Sequence, residues 1–186
     1  MLPQHILDHF ARIPHNTPIK NHYYGVFNRI FTELCFTEDL FIVEPQYPIP
    51  RADEHPPLDF IIDYVVEVND LPVLFLDIKS PLHIDPISTR VDADKQIRAK
   101  FLALYDVTPT PRLHGISAMG QKLSFYCLEK LEATTGRIIP TYVPPSTDYI
   151  TDTVPAERWD TDITTEDGYQ RFMAVINDVK EMAAAL

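Results

Sequence analysis

Two consecutive β-rich segments near residue 70 constrain the fold more than any other feature of this chain. The first, LDFIIDYVVEV, covers residues 58–68 and alternates between two faces, as a β-strand does. The second, PVLFLDIKSP, covers residues 72–81 and is apolar at five of its first six positions. Asn69 and Asp70 stand between the segments and favour a short turn. The pattern therefore predicts an antiparallel β-hairpin.

The charged residues of this hairpin are predicted to share one face. Asp59 and Asp63 are four positions apart in the first strand, and Asp77 and Lys79 are two apart in the second. Side chains at even spacing point to the same side of a strand. With the turn at its predicted place, Asp63 lies roughly opposite Asp77, and Asp59 lies further along the same face. Asp and Lys are rarely fully buried unless they are paired, so this face indicates either an ion pair or a chemical site.

The rest of the chain predicts a mixed α/β domain around the hairpin. A sheet covered by helices is the natural architecture for such an order of elements. No internal repeat or low-complexity segment interrupts residues 1–186, so a single domain is expected. The other predicted elements are a helix that begins near Thr17, a strand in LFIVEPQYPI, a helix capped by Asp85, two strands around Gly120-Gln121, a strand in GRIIPTYVP, and a last helix capped by Thr164 or Thr165.

The composition of the chain limits its possible binding partners and its cellular compartment. The net charge of −11 opposes broad binding of nucleic acid, which needs an excess of Lys and Arg, but it leaves room for a local basic groove. The sequence has neither the roughly 18-residue apolar run of a membrane span nor a secretory signal. Its two cysteines, Cys35 and Cys127, lie in apolar contexts and are predicted to be buried thiols. We therefore expect an intracellular protein, in the cytoplasm or nucleus, without a membrane partner.

Carboxylates beside a lysine suggest metal-assisted chemistry on a phosphate. Mg²⁺ is typically held by one or two carboxylates and keeps several waters. A bound Mg²⁺ lowers the pKa of a water ligand, and a nearby ammonium stabilises negative charge in the transition state. Crowded carboxylates raise one another's pKa and oppose folding. The substitution Asp77→Asn is therefore expected to raise the melting temperature of the metal-free protein.

The acid-bearing hairpin that ends in Asp77-x-Lys79 resembles the PD-(D/E)XK nuclease superfamily. The order of elements over about residues 17–130 is similar to the αβββαβ core of that restriction-endonuclease-like fold, with a strand and a helix added over 137–186. The resemblance implies a metal-dependent nuclease that hydrolyses phosphodiester bonds of DNA or RNA with Mg²⁺, or with Mn²⁺ as a substitute. The segments DADKQIRAKF and LHGISAMGQKLSFY are also similar to uncharacterised fungal proteins of this type.

The resemblance implies roles for individual residues. Asp77 and Lys79 match its D/E-x-K pair, and the preceding acid is either Asp59, which the Pro-flanked pattern favours, or Asp63, which the hairpin geometry favours. Glu33 is a candidate for a further metal ligand on the first helix. Gln96 is a candidate for a polar substrate-binding residue on the helix after Lys79, although it lies roughly opposite the apolar stripe of that helix.

Arg90, Asp94 and Arg98 form a charged ladder at i, i+4 spacing among apolar residues of the same helix. This ladder is either a buried ion-pair network or, at Arg90, a bidentate phosphate contact. The acidic surface favours a second interpretation of the whole chain. In that interpretation the protein keeps the nuclease fold without the chemistry and acts as an interaction module, as a homodimer or with a protein partner. Asp77 and Lys79 would then form only an edge ion pair.

Overall fold

The computed structural model describes residues 1–48, 61–132, 135–148 and 151–186 of the chain. It is a mixed α/β structure, as the sequence predicts. The principal elements are α1 (Gln4–Arg12), α2 (Tyr24–Arg29), β1 (Phe41–Pro48), β2 (Ile61–Val68), β3 (Leu71–Lys79), α3 (Ile87–Leu104), β4 (Arg112–Met119), β5 (Lys122–Glu132), β6 (Thr135–Ile139), β7 (Thr161–Asp162) and α4 (Glu166–Ala183). A 3₁₀ turn, Lys20–Tyr23, precedes α2, and a π-helical segment, Ile30–Cys35, follows it.

One mixed sheet contains all the strands of the described part of the chain. Its spatial order follows the chain order from β1 to β6, and β7 pairs with β5. The first three strands are an antiparallel meander, and α3 then crosses over so that β4 runs parallel to β3. The remaining neighbours are antiparallel. The parallel β3–β4 pair brings the C-terminal end of β3 under the helix that connects the two strands.

The predicted hairpin is confirmed. Asn69 and Asp70 have φ angles of 54° and 61°, the pair of positive values that a two-residue type I′ turn requires. The strands β2 and β3 pair through Tyr64 opposite Leu76, so the next step of the same register brings Asp63 to Asp77. The order of the antiparallel strands therefore places both acids at the same end of the hairpin.

Helices cover both faces of the sheet. On one face α1, α2 and α4 pack on Tyr64, Leu76 and Ile78, and on the other face α3 packs on Phe75. Because side chains alternate along β3, Asp77 follows Phe75 onto the α3 face. The α3 side of this second core consists of Ile97, Phe101 and Leu104.

Helix starts are predicted with mixed success. Thr165 caps α4 as predicted, since its side chain accepts a hydrogen bond from the amide of Gly168. Asp85 does not cap α3, because the extended backbone of Pro86 is the N-cap and the helix begins one residue later. Thr17 does not begin a helix either. Its hydroxyl accepts from the amide of Ile19, and helical turns begin only at residue 20.

Both cysteines are free thiols. Cys35 is buried as predicted, whereas Cys127 is only half-buried. Burial raises the pKa of Cys35 to about 12 and that of Cys127 to about 11. No helix within the described ranges has the length and apolar character that a membrane crossing needs.

We predict that Gly168→Ala destabilises the fold although alanine is the better helix former. A Cβ atom at Gly168 would lie 1.8 Å from the carbonyl oxygen of Asp162, which is backbone. Relieving such overpacking costs about 1–3 kcal/mol, or roughly 2–12 °C in melting temperature for a domain of this size. Thermal unfolding followed by circular dichroism measures the change. Asn177→Ala, at an exposed position of the same helix, is the control and should leave the melting temperature unchanged or slightly higher.

Candidate active site

A cavity of about 410 Å³ at the ends of β2 and β3 brings together three residues of the predicted site, Asp63, Asp77 and Lys79. Gln96, the predicted polar residue of α3, also lines it. The lining contains two carboxylates and three ammonium groups, so cations outnumber anions there. The full lining is Lys20, Asn21, Tyr24, Gln46, Ile61, Asp63, Asp77, Lys79, Gln96 and Lys100.

Asp77 is buried and lies between two lysines. Its Oδ1 atom accepts a hydrogen bond from Nζ of Lys100, and its Oδ2 atom lies 3.7 Å from Nζ of Lys79. Burial by itself would raise the pKa of Asp77, but the charges of Lys100 and Lys79 outweigh burial and hold that pKa below its ordinary value. Asp77 is therefore ionised at neutral pH. Its Oδ2 atom has no hydrogen-bond partner within the described part of the chain.

Lys79 is oriented by α3. Its Nζ atom donates to Oε1 of Gln96 at 2.6 Å, a shorter contact than the one it makes with Asp77. Gln96 is exposed, as its position opposite the apolar stripe predicts, yet its amide still reaches the end of β3. The arrangement fixes one ammonium beside a buried carboxylate without forming a close ion pair.

Asp63 is buried, and both of its carboxylate oxygens are engaged. Oδ1 accepts from Nζ of Lys20 at 2.9 Å and from the hydroxyl of Tyr24. Oδ2 accepts from the backbone amide of Ile78 at 2.7 Å. Burial alone would lower the pKa of Lys20, but its interactions with Tyr24 and Asp63 outweigh burial and raise that pKa above its ordinary value. Asp63 therefore ties the 3₁₀ turn and the start of α2 to the end of β3.

Further hydrogen bonds hold the start of α2 and the residues before it in place. The hydroxyl of Ser80, directly after β3, donates to the backbone carbonyl of Thr17 at 2.8 Å. The hydroxyl of Tyr64, on β2, donates to the backbone carbonyl of Tyr24 at 3.0 Å. These contacts join residues more than 39 positions apart, so local sequence patterns do not reveal them. Lys20 and Tyr24 were accordingly absent from the predicted site.

Lys100 was also missed, although the sequence carries a signal for it. Ala93, Ile97 and Leu104 are buried on one side of α3, and their spacing makes residue 100 a core position of the same stripe. A lysine at a core position needs a partner, because an unpaired buried charge is costly. That partner is Asp77.

Two predicted metal ligands are not part of the cavity as described. Asp59 lies outside the described residues, so the choice between it and Asp63 stays open, although Asp63 is the acid seen beside Asp77. Glu33 is exposed, and its carboxylate binds Nε of Arg29 at 2.9 Å and lies 3.7 Å from Nε2 of His5. The described residues that line the cavity do not include Glu33. Its assignment as a ligand gains no support from these contacts.

Arg90 is held by the fold rather than presented to the cavity. It is buried, and its guanidinium donates to the backbone carbonyls of Val154 and Asp85 at 2.8 Å each and to the carboxylate of Asp152. A phosphate contact by Arg90 has no support from this arrangement. These contacts instead favour the interpretation of the charged ladder as a structural network that anchors residues 152–154 on α3.

The middle of the ladder forms a second network. Asp94 is buried and accepts hydrogen bonds from Arg98 at 2.8 Å, from Arg158 at 2.7 Å and from the hydroxyl of Tyr126 at 3.0 Å. Each charge in the ladder thus has a partner, which is the condition for burying it.

The expectation of crowded carboxylates is wrong. Three lysines accompany the two acids, and the pKa of Asp77 is lowered rather than raised. The helices supply Lys20 and Lys100, which the hairpin pattern alone could not reveal. The predicted effect of Asp77→Asn therefore changes sign.

Within the described ranges, no group of three or more His, Cys, Asp or Glu side chains is arranged to hold a metal ion. Comparisons with protein-family models, with curated proteins and with solved structures found no match for this chain. The geometry of the cavity is therefore the basis for any functional assignment.

We predict that Asp77→Asn lowers the melting temperature of the protein in EDTA, because the neutral amide leaves the buried ammonium of Lys100 without a counter-charge. Breaking a buried ion pair costs about 3–5 kcal/mol, or roughly 6–20 °C here. Differential scanning calorimetry measures the change. Asp92→Asn, at an exposed position of α3, is the matched control and should have little effect. A higher melting temperature for Asp77→Asn would restore the view that repulsion dominates the site.

Replacement of Arg90 separates a structural role from substrate binding. We predict that Arg90→Ala lowers the unfolding free energy by about 2 kcal/mol or more, because it removes a charged donor from several buried acceptors. In urea denaturation its midpoint should fall. Any phosphate or nucleic-acid affinity of the remaining folded protein should equal that of the wild type. A selective loss of affinity without loss of stability would instead return Arg90 to the binding site.

Proposed function

We propose that this protein is a Mg²⁺-dependent nuclease that hydrolyses phosphodiester bonds of DNA or RNA. The observation that carries the proposal is the convergence of Asp63, Asp77 and Lys79 in one cavity, with Gln96 hydrogen-bonded to Lys79. The fold supports it too. A helical segment, three antiparallel strands, the helix α3 and the parallel strand β4 follow one another as in the αβββαβ core of PD-(D/E)XK nucleases. We propose a restriction-endonuclease-like core on that basis.

The donor atoms of the cavity fit a hard divalent cation. Mg²⁺ needs only one or two carboxylates and keeps its remaining ligands as water. Asp77 offers a buried oxygen that has no hydrogen-bond partner among the described residues, and Asp63 lies beside it. Asp77 and Asp63 would hold the ion. When bound, Mg²⁺ neutralises charge on a phosphate and lowers the pKa of a coordinated water.

The residues of the chain supply the other requirements of phosphodiester hydrolysis. In this reaction a water oxygen bonds to phosphorus, a P–O ester bond breaks, and the products are a phosphate monoester and an alcohol. Lys79, held by Gln96, would orient the attacking water and stabilise the negative charge that develops on the phosphate oxygens. Lys20 is about half exposed at the cavity and would attract the anionic backbone of the substrate.

The charge of the cavity lining is compatible with this assignment, although the net charge of the whole chain is not. The whole chain carries a net charge of −11, which disfavours extensive contact with nucleic acid. The cavity lining, with three lysines and two aspartates, carries a net positive charge. A short contact at the cavity, rather than a long basic groove, is therefore the mode of binding that the charges support.

A second candidate function is an interaction module that keeps the fold without the chemistry. The observation that favours it is the pairing of each carboxylate with a lysine, since Asp63 binds Lys20 and Asp77 binds Lys100. In this interpretation the lysines stabilise the acids permanently, and a homodimer or a protein partner uses another surface.

Nuclease activity with a matched pair of lysine variants tests the proposal. Purified protein should degrade at least one of single- or double-stranded DNA or RNA with Mg²⁺ or Mn²⁺, and EDTA should abolish cleavage. Lys79→Met should reduce the rate about 10²–10³-fold, because it removes a group that stabilises the transition state. Lys95→Met, at an exposed position of α3 beside Gln96, should leave the rate unchanged.

The outcomes separate the two candidate functions. Cleavage that survives Lys79→Met would identify a contaminant or another site. If the wild-type protein cleaves none of the four substrates with either metal, the interaction module becomes the better assignment.

A further inference from the structure

The ion pair between Lys100 and Asp77 differs from the other lysine contacts of the cavity. Both side chains are only 4% exposed, and Nζ of Lys100 donates directly to Oδ1 of Asp77. Each group would be costly to bury alone, so each serves as the counter-ion of the other. The pair joins the middle of α3 to the end of β3.

The other two lysines have different partners. Nζ of Lys79 lies 3.7 Å from Asp77 and gives its short hydrogen bond to Gln96. Lys20 binds Asp63, and its side chain is 46% exposed. Within the described part of the chain, Lys100 is thus the lysine that is both deeply buried and hydrogen-bonded to Asp77.

The position of Lys100 conflicts with a metal ion on the same carboxylate. A divalent cation on Asp77 would bring two further positive charges beside a buried ammonium, and at low dielectric such charges repel strongly. The repulsion is relieved if the ammonium moves away. Lysine can do this because it has four flexible methylene groups, and Lys100 itself borders the cavity.

We propose that Lys100 is an exchangeable counter-cation: it neutralises Asp77 in the metal-free protein and leaves that carboxylate when a divalent cation binds. The identity of the metal-binding acid rests on the proposed function. The exchange keeps the metal-free domain folded, at the expense of metal affinity. It also frees the ammonium of Lys100 from Asp77 only when the metal is present, so that this ammonium can then contact a phosphate of the substrate.

Isothermal titration calorimetry with Mn²⁺ tests the exchange. Lys100→Met keeps most of the length of the side chain and removes the competing charge, so Mn²⁺ should bind at least tenfold more tightly than to the wild type. Lys79→Met is the matched control, because it removes the same charge from the same cavity but not the hydrogen bond to Asp77. Its effect on the Mn²⁺ dissociation constant should be clearly smaller. Equal effects of the two variants, or no effect of Lys100→Met, would overturn the proposal.

A measurement on the wild-type protein covers the case in which Lys100→Met does not fold. Reductive methylation followed by peptide mass spectrometry reports how accessible each lysine is. Labelling of Lys100 should be slow in EDTA and should rise several-fold as Mn²⁺ is added, while labelling of the exposed Lys95 should stay constant. If the labelling of Lys100 is unchanged over the whole Mn²⁺ titration, the ammonium does not leave and the proposal is wrong.

The failure of this inference is distinguishable from the failure of the nuclease assignment. If the wild type cleaves nucleic acid but Lys100→Met binds Mn²⁺ no more tightly, the exchange is wrong and the nuclease assignment stands. If the wild type binds Mn²⁺ with a rise in Lys100 labelling but cleaves none of the nucleic acids, the exchange stands and the nuclease assignment is wrong. If the wild type binds no Mn²⁺ at all, the exchange is wrong, even if Lys100→Met binds the ion tightly.

Discussion

The buried ion pair between Asp77 and Lys100 is the contact on which the organisation of the site depends. It fixes α3 against the end of β3, and together with the charge of Lys79 it keeps the buried carboxylate of Asp77 ionised. Removing two charges from water costs about as much as their attraction returns, so such a pair contributes little net stability compared with an apolar contact. Losing one partner is costly, however. The pair therefore specifies where α3 lies. Gln96, one turn earlier on that helix, is thereby placed where its amide oxygen accepts a hydrogen bond from Lys79.

Other charged residues of α3 have a purely structural role. Arg90 donates to the backbone carbonyl of Val154 and to the carboxylate of Asp152, and Asp94 accepts from Arg158. Their donors and acceptors are satisfied by the protein itself, in contrast with the group around Asp77. The charges of α3 thus divide into a network that holds the chain together and a smaller set that faces the cavity. This division explains how a protein with a net charge of −11 can present a locally positive site.

The sequence predicted what depends on local patterns. Period-two alternation and the Asn69-Asp70 turn were sufficient to predict the hairpin, but the register at the turn, continued without interruption, would place Asp63 opposite Leu76. A register shift between Val66 and Glu67 brings Asp63 to Asp77 instead, and the sequence pattern does not reveal it. Lys20 and Lys100 could not be placed, since their contacts cross between elements that are distant in sequence. Glu33 lies in a π-helical segment, whose residues per turn differ from those of an α-helix, so its direction could not be read from α-helical spacing.

The nuclease and interaction-module hypotheses both accommodate the paired acids, but they differ in what they require of each carboxylate oxygen. Asp63 has partners on both oxygens and would suit either interpretation. Asp77 has a partner on Oδ1, while Oδ2 is buried and has no hydrogen-bond partner within the described residues. An unsatisfied buried acceptor costs about 1–3 kcal/mol, more when it is charged, and native proteins contain few of them. The ammonium of Lys79, 3.7 Å away, offsets part of that cost, but a site selected only for stability gains no hydrogen bond at that oxygen. A site that binds a cation gains a ligand there, and this asymmetry between two neighbouring carboxylates is what favours the enzyme.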